Sequence, residues 1–191
     1  IDGLDARNWA VRPNRIEVLR KALSGKGGVI RKALAETAAL DMTPQTLPGP
    51  TGESNRLAMY PKGVVLCLGP TLDIAIAQAA QALGAGCAAV VVTPGAEQAV
   101  KPLTDAGAPV AGLDGSVSAE TLSEVKGIAA VAAAGASDWT RELRMALAKR
   151  DGAIVSLETQ TISPDRYVVE RHLCIDTTAA GGNASLLATA E

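Results

Sequence analysis

The chain's only histidine, His172, stands two residues before Cys174 in "DRYVVERHLCID". In an extended segment both side chains point the same way, which is the raw material of a thiol–imidazole dyad. Their neighbours on that face are Glu170 and Asp176. Carboxylates raise a thiol's pKa rather than lower it, so a strand thiol beside an ordinary imidazole outweighs a dyad. The stretch that follows, "DTTAAGGNASLL", gathers Asp176, Thr177, Thr178, Gly181, Gly182, Asn183 and Ser185. Such small and hydroxylated residues suit either a phosphate cradle or a tail that closes over another surface.

Other glycine-rich stretches are weaker. "SGKGGVIRKA" lacks the spacing of a P-loop and reads as a turn between helices. "LGAGC" joins a helix to a strand at the end of the sheet opposite to that used for cofactors. At the useful end lie "LGPTLD", "TPGAEQ" and "AGASD". A pyrophosphate there wants free backbone N–H groups and a positive helix terminus. Asp73 and Asp138 sit at or near two of those helix starts, where they complement the helix dipole and repel a phosphate.

These segments need elements to position them. Residues 14–40 show helical periodicity, with Ile16, Leu19 and Leu23 on one face and Ile30, Leu34 and Leu40 continuing the pattern. "MTPQTLPGPTGES" reads as a connector. After it, short apolar runs ("GVVLCLGP", "CAAVVVTPG", residues 110–113, "GIAAVAAAG", "AIVSLE") alternate with helical stretches, the last of them "SDWTRELRMALAKRDG" with Ser137 as N-cap. The expected fold is α/β: a Rossmann-like parallel sheet with helices on both faces and an N-terminal helical segment. "NRLAMYPKG" and "DRYVVERHLCID" are extended and semi-polar, and they predict a small two-stranded β-flap. Tyr167, Val169, Arg171 and Leu173 would share one side of it.

Composition agrees with this fold. The 191 residues are 48% apolar, dominated by alanine, with no Phe, two Trp and two Tyr, so the core must be built of small side chains at close approach. Eighteen basic residues against twenty acidic ones argue against nucleic acid as a partner. The three cysteines form neither a disulfide framework nor a metal cluster, which points to a reducing, cytoplasmic setting. No apolar run is long enough to span a membrane. The first residue, Ile1, hints at a piece of something longer.

Several motifs resemble the aldehyde dehydrogenase superfamily. "LPGPTGESNRLAMYPKGVVLCLGP" is similar to the entry into the cofactor domain of glutamate-semialdehyde dehydrogenases, and "ALGAGCAAVVVTPGAEQ" to A-A-L-A-A-G-N-A-V-V-A-K-P-A-E-Q of that family. "AAGASDWTRELRMALAKRDGAIVSLETQ" is similar to the family's F-T-G-S-T-E-V stretch, its following helix and the strand to E-T-G-G. "DTTAAGGNASLL" resembles the C-terminal motif of the proline utilization A family, bifunctional bacterial enzymes whose longer members carry an extra C-terminal domain of aldehyde dehydrogenase fold. The departures matter as much. "PTLD" stands where the family has P-W-N-F-P, and Thr93 stands for its ribose-binding lysine. Gly135-Ala136-Ser137-Asp138 stands for the G-S-T turn. Glu158 survives from E-T-G-G, but Gln160 and Thr161 replace the glycines. The domain carrying the family's nucleophilic cysteine is missing between "LETQ" and "RYVVERH".

The resemblance implies a helical lead-in (1–46), a Rossmann-like domain (47–162, with a flap strand near 55–63), a second flap strand (163–175) and a tail motif (176–191). It implies a non-catalytic domain with no catalytic, cofactor-binding or metal-ligating residue of its own. The implied parent uses FAD and NAD to oxidise proline to glutamate through pyrroline-5-carboxylate. The domain would support the aldehyde dehydrogenase activity of its partner, the parent's dehydrogenase module, and cover the channelling tunnel, with the flap serving in oligomerisation. The alternatives are a nucleotide-binding (NAD) regulatory module or a residual aldehyde dehydrogenase.

Overall fold

The computed structural model describes Leu4, residues 6–135 and residues 137–176. The chain divides into two compact units, one of residues 1–40 and 61–168, the other of residues 41–60 and 169–191. In the larger unit three lead-in helices come first: α1 (Arg7–Ala10), α2 (Arg15–Ala22) and α3 (Gly28–Ala38). The sheet strands are β3 (Val64–Cys67), β4 (Ala88–Val92), β5 (Val110–Leu113), β6 (Ala130–Ala132) and β7 (Ser156–Glu158). Between them run α4 (Leu72–Gly84), α5 (Ala96–Asp105), α6 (Ala119–Glu124) and α7 (Asp138–Ala148). All sheet pairings are parallel, in the order β5-β4-β3-β6-β7. The order reverses between β3 and β6, which makes a topological switch point there.

Register explains the small side chains. Leu66, Val90 and Val131 align across three strands and join Leu122, Leu143 and Leu147 from α6 and α7 in one apolar cluster. The alternate row, Val65, Ala89 and Ala130, is fully buried. Small residues there let a helix come close, and α4, packed between the sheet and α3, has Ala75, Ala77, Ala79, Ala80 and Ala82 all fully buried. A Cβ at Gly112 would stand 2.5 Å from the Ala96 carbonyl oxygen, so α5 also lies against the backbone of β5.

The C-terminal end of α4 is where the lead-in helices dock. A helix leaves its last four carbonyls without intrahelical partners. Here Gln81 O accepts from Ala85 N and Ala82 O from Cys87 N, both at 2.9 Å. Leu83 O accepts from Gly86 N at 3.0 Å and from Trp9 Nε1 at 2.8 Å. Gly84 O accepts from Arg15 Nε at 2.6 Å, and Arg15 Nη1 also reaches Ala10 O and Arg12 O. A guanidinium at a helix C-terminus complements the dipole. Burial lowers the Arg15 pKa, yet guanidinium stays charged. Gly84 itself is required: a Cβ there would come within 2.6 Å of Thr37 Cγ2 on α3.

After β7 the chain crosses back through residues 159–167. Gln81, fully buried on α4, holds this crossover with both ends of its amide. Its Nε2 donates to Thr161 O at 2.8 Å and to Ala77 O at 3.0 Å, and its Oε1 accepts from Ser163 N at 2.7 Å. A turn of 3-10 helix, Pro164–Tyr167, follows. The Tyr167 carbonyl accepts from Lys62 N at 3.0 Å and from the Cys87 thiol at 3.1 Å.

The smaller unit carries most of a second sheet, ordered β1-β2-β8, from β1 (Gln45–Leu47), β2 (Glu53–Pro61) and β8 (Val168–Asp176). The expected two-stranded flap thus has a third strand. β1 lies inside the segment read as a connector and pairs antiparallel with β2, Thr46 opposite Arg56. Three residues with two polar ones carry no hydrophobic pattern, so only the partner strand reveals it. Tyr167 also departs from expectation. It sits in the turn opened by Pro164, buried in the larger unit, rather than on the flap strand beside Val169, Arg171 and Leu173. No helix among the described residues is long and apolar enough to cross a membrane.

Replacing Gln81 by leucine keeps the volume but strands Thr161 O and Ser163 N. Each unsatisfied group costs about 1–3 kcal/mol. We expect urea unfolding to show a loss of at least about 2 kcal/mol, whereas a change inside measurement error would mean the crossover is held by other contacts.

Candidate functional site

The crevice at the carboxyl ends of the parallel strands is where an open α/β sheet binds ligands. Three long helices begin there, and each has an amide of its first turn capped by a side chain. Thr71 Oγ1 accepts from Ile74 N at 3.4 Å at the start of α4, with Asp73 in the first turn. The start of α5 has no side-chain cap of its own, but Asp114, from the loop after β5, accepts from Glu97 N at 2.9 Å. At α7, Ser137 and Thr140 form a capping box, and Asp138 occupies the first turn. Carboxylates at all three termini match the helix dipoles and oppose a phosphate.

The loop amides are engaged as well. Gly69 N, just beyond β3, donates to Gln78 Oε1 at 3.0 Å, and Gly135 N, beyond β6, donates to Thr159 O at 2.8 Å. Gly69 has φ +42°, and a Cβ there would lie 2.6 Å from Ala75 N, so the turn needs glycine for its own closure onto α4. Gln78 Nε2 is left buried without a partner in the structure. The crevice itself is a cavity of about 180 Å³ lined by Leu68, Gly69, Thr93, Pro94, Val117 and Trp139. Ligand pockets run to about 300–1,000 Å³. Trp139, one residue into α7, narrows the space.

Glu158, at the end of β7, has structural partners. Lys62 Nζ and Arg166 Nε each lie 4.0 Å from its carboxylate oxygens, and Lys62 Nζ also donates to Ser156 Oγ at 3.1 Å. Thr93 is buried, and its carbonyl accepts from Ala96 N at 3.1 Å.

The thiols are divided between two settings. Cys67 and Cys87 are buried in the larger unit, and burial pushes both thiols up, away from the thiolate form. Cys174 is exposed on β8. On the same unit His172 Nε2 lies 3.1 Å from Asn55 Oδ1, and Asn55 Nδ2 donates to Glu53 Oε2 at 3.2 Å. Arg171 stacks over the Tyr60 ring at 5.0 Å. The imidazole is thus engaged by an amide. Val169 and Leu173 are exposed on β8, and Asp176 is its last residue. Thr177, Thr178, Gly181, Gly182, Asn183 and Ser185 lie outside the described residues. No group of three or more potential metal ligands occurs among the described residues.

Sequence reasoning singled out Asp73, Asp138, Thr93 and Glu158, and the structure brings all four to the carboxyl edge. It missed Asp114, Gln78 and Trp139. Asp114 stands 17 residues from the amide it caps; the aspartate in the loop after the third apolar run was the available signal.

Comparison with known proteins agrees with this architecture. No family model matches the chain. It is 36% identical over 189 residues to the bifunctional protein PutA of Escherichia coli K12, which covers 95% of this chain and 13% of that protein. It is 37% identical over 150 residues to the PutA of Salmonella typhimurium, covering 76% of this chain and 11% of that protein. The chain therefore spans only about an eighth of the length of these relatives. Among solved structures, a proline utilization A with proline bound in remote sites superposes with a TM-score of 0.64 and 26% identity, over 80% of this chain and 20% of that one. An aldehyde dehydrogenase from Brucella melitensis biovar abortus 2308 superposes with a TM-score of 0.59 at 20% identity, over 81% of this chain and 41% of that one, which is a likeness of fold. The chain is homologous to the bifunctional PutA proteins, and its α/β fold is that of their aldehyde dehydrogenase-like neighbours.

Proposed function

We propose that this chain is a non-catalytic aldehyde dehydrogenase-like domain of a bifunctional proline catabolic enzyme. In this reading it supports the dehydrogenase activity of the longer polypeptide and covers the passage between that enzyme's two active sites. The parent would use FAD and NAD, and this domain neither. The observation that carries the reading is the crossover. By the family resemblance, residues 159–167, which run from β7 to β8, stand where an aldehyde dehydrogenase would carry its catalytic domain, and Gln81 fastens them at 2.7 and 2.8 Å.

Covalent aldehyde oxidation needs a thiolate, a hydride acceptor beside it and donors for the oxyanion. Two of the three cysteines are buried with raised pKa values, and the third lies on the flap strand. The amides of Gly69, Ile74, Glu97, Gly135 and Thr140 at the carboxyl edge have acceptors within the chain, and acids stand at the helix starts. These observations favour a scaffold over a catalyst.

The flap suits contact with another surface. β8 is an edge strand of nine residues, exposed beyond Val168, with Val169, Leu173 and Ile175 on one side. An open edge of this kind can add to a partner sheet. The tail motif, Asp176 to Ser185, would lie over the dehydrogenase module, where its small side chains make little steric demand.

Deleting residues 176–191 from the full-length enzyme should lower dehydrogenase activity and lengthen the lag before NADH forms from proline; unchanged coupled kinetics would remove the lid role. Titrating this chain with NAD by calorimetry should show no saturation up to millimolar nucleotide. Saturable heat would favour a nucleotide-binding regulatory module instead.

A further inference from the structure

The parallel sheet ends at β7, whose outer edge has no strand beside it among the described residues. Along that edge runs an open groove of about 500 Å³ between β7 and the C-terminal half of α7. Its apolar floor comes from Leu147, Val155 and Leu157, and Ile154 stands on its rim with 96% of its surface exposed. Arg144 and Arg150 line it, and no carboxylate does. Arg150 Nη1 donates to Leu122 O at 2.6 Å, while its Nε has no partner in the structure.

Each feature has a cost alone. An exposed isoleucine in a groove with two guanidinia is poor design for a surface that faces only water. An open strand edge is a template for pairing, and a groove with cations and no anions complements a negative partner. We propose that the β7 edge binds an extended acidic segment of polypeptide by strand addition. The segment's backbone would pair with β7, an apolar side chain would cover Ile154 and Leu157, and its carboxylates would meet Arg144 and Arg150. Residues i and i+2 of an extended chain share a face, so the positions facing the groove would alternate between apolar and acidic residues, with the residues between them turned away. The proposal is independent of the role assigned to the flap and tail.

Fluorescence anisotropy of a labelled peptide of repeating Val-Ser-Glu-Ser, with a Val-Ser-Lys-Ser peptide as control, tests it on this chain. Saturable binding of the acidic peptide alone is expected, weakening with salt. Arg144→Glu and Ile154→Asp alter exposed positions and should leave the fold intact by circular dichroism, and each should reduce affinity about tenfold. Absence of binding overturns the proposal, as does binding that both variants leave unchanged. Self-association in sedimentation that Ile154→Asp abolishes would assign the edge to a second copy of the chain and likewise overturn it.

Discussion

Gln81 makes hydrogen bonds in three directions from a position with no exposure to solvent. A buried primary amide is costly unless its donors and acceptor are matched, and matched it fixes whatever it touches. What it touches is the segment that closes the chain after the last strand of the sheet. The same turn of α4 presents its terminal carbonyls to Trp9 and Arg15 of the lead-in helices. One helix end therefore gathers the N-terminal helices, the sheet and the crossover. The short path from β7 to β8 is a defined element with its own polar lock.

The opposite end of the sheet shows a complementary economy of polar groups. A nucleotide site keeps its loop amides and helix starts available, because the ligand supplies the missing acceptors. Here Gly69, Gly135, Glu97 and Thr140 give their amide hydrogens to Gln78, Thr159, Asp114 and Ser137.

Much of this was legible in the residues. Unbroken apolar runs marked the strands, alanine marked the close helix–sheet contact, and Ser137 marked the start of α7. Glu158 was recognisable, though not its partners Lys62 and Arg166. What stayed hidden was non-local. Gln81 looks like one more polar residue on an alanine helix, and Asp114 like a loop aspartate; their roles exist only once distant backbone is brought to them. β1 depends wholly on pairing with β2, and Tyr167 was misplaced because Pro164 delays the strand by a turn.

The most direct measurement is an assay of this chain for NADH formation from pyrroline-5-carboxylate and NAD. The account requires absorbance no higher than the protein-free blank. Turnover that disappears on alkylating Cys174 would contradict it, since a catalytic thiolate would then exist on the strand assigned to contact alone.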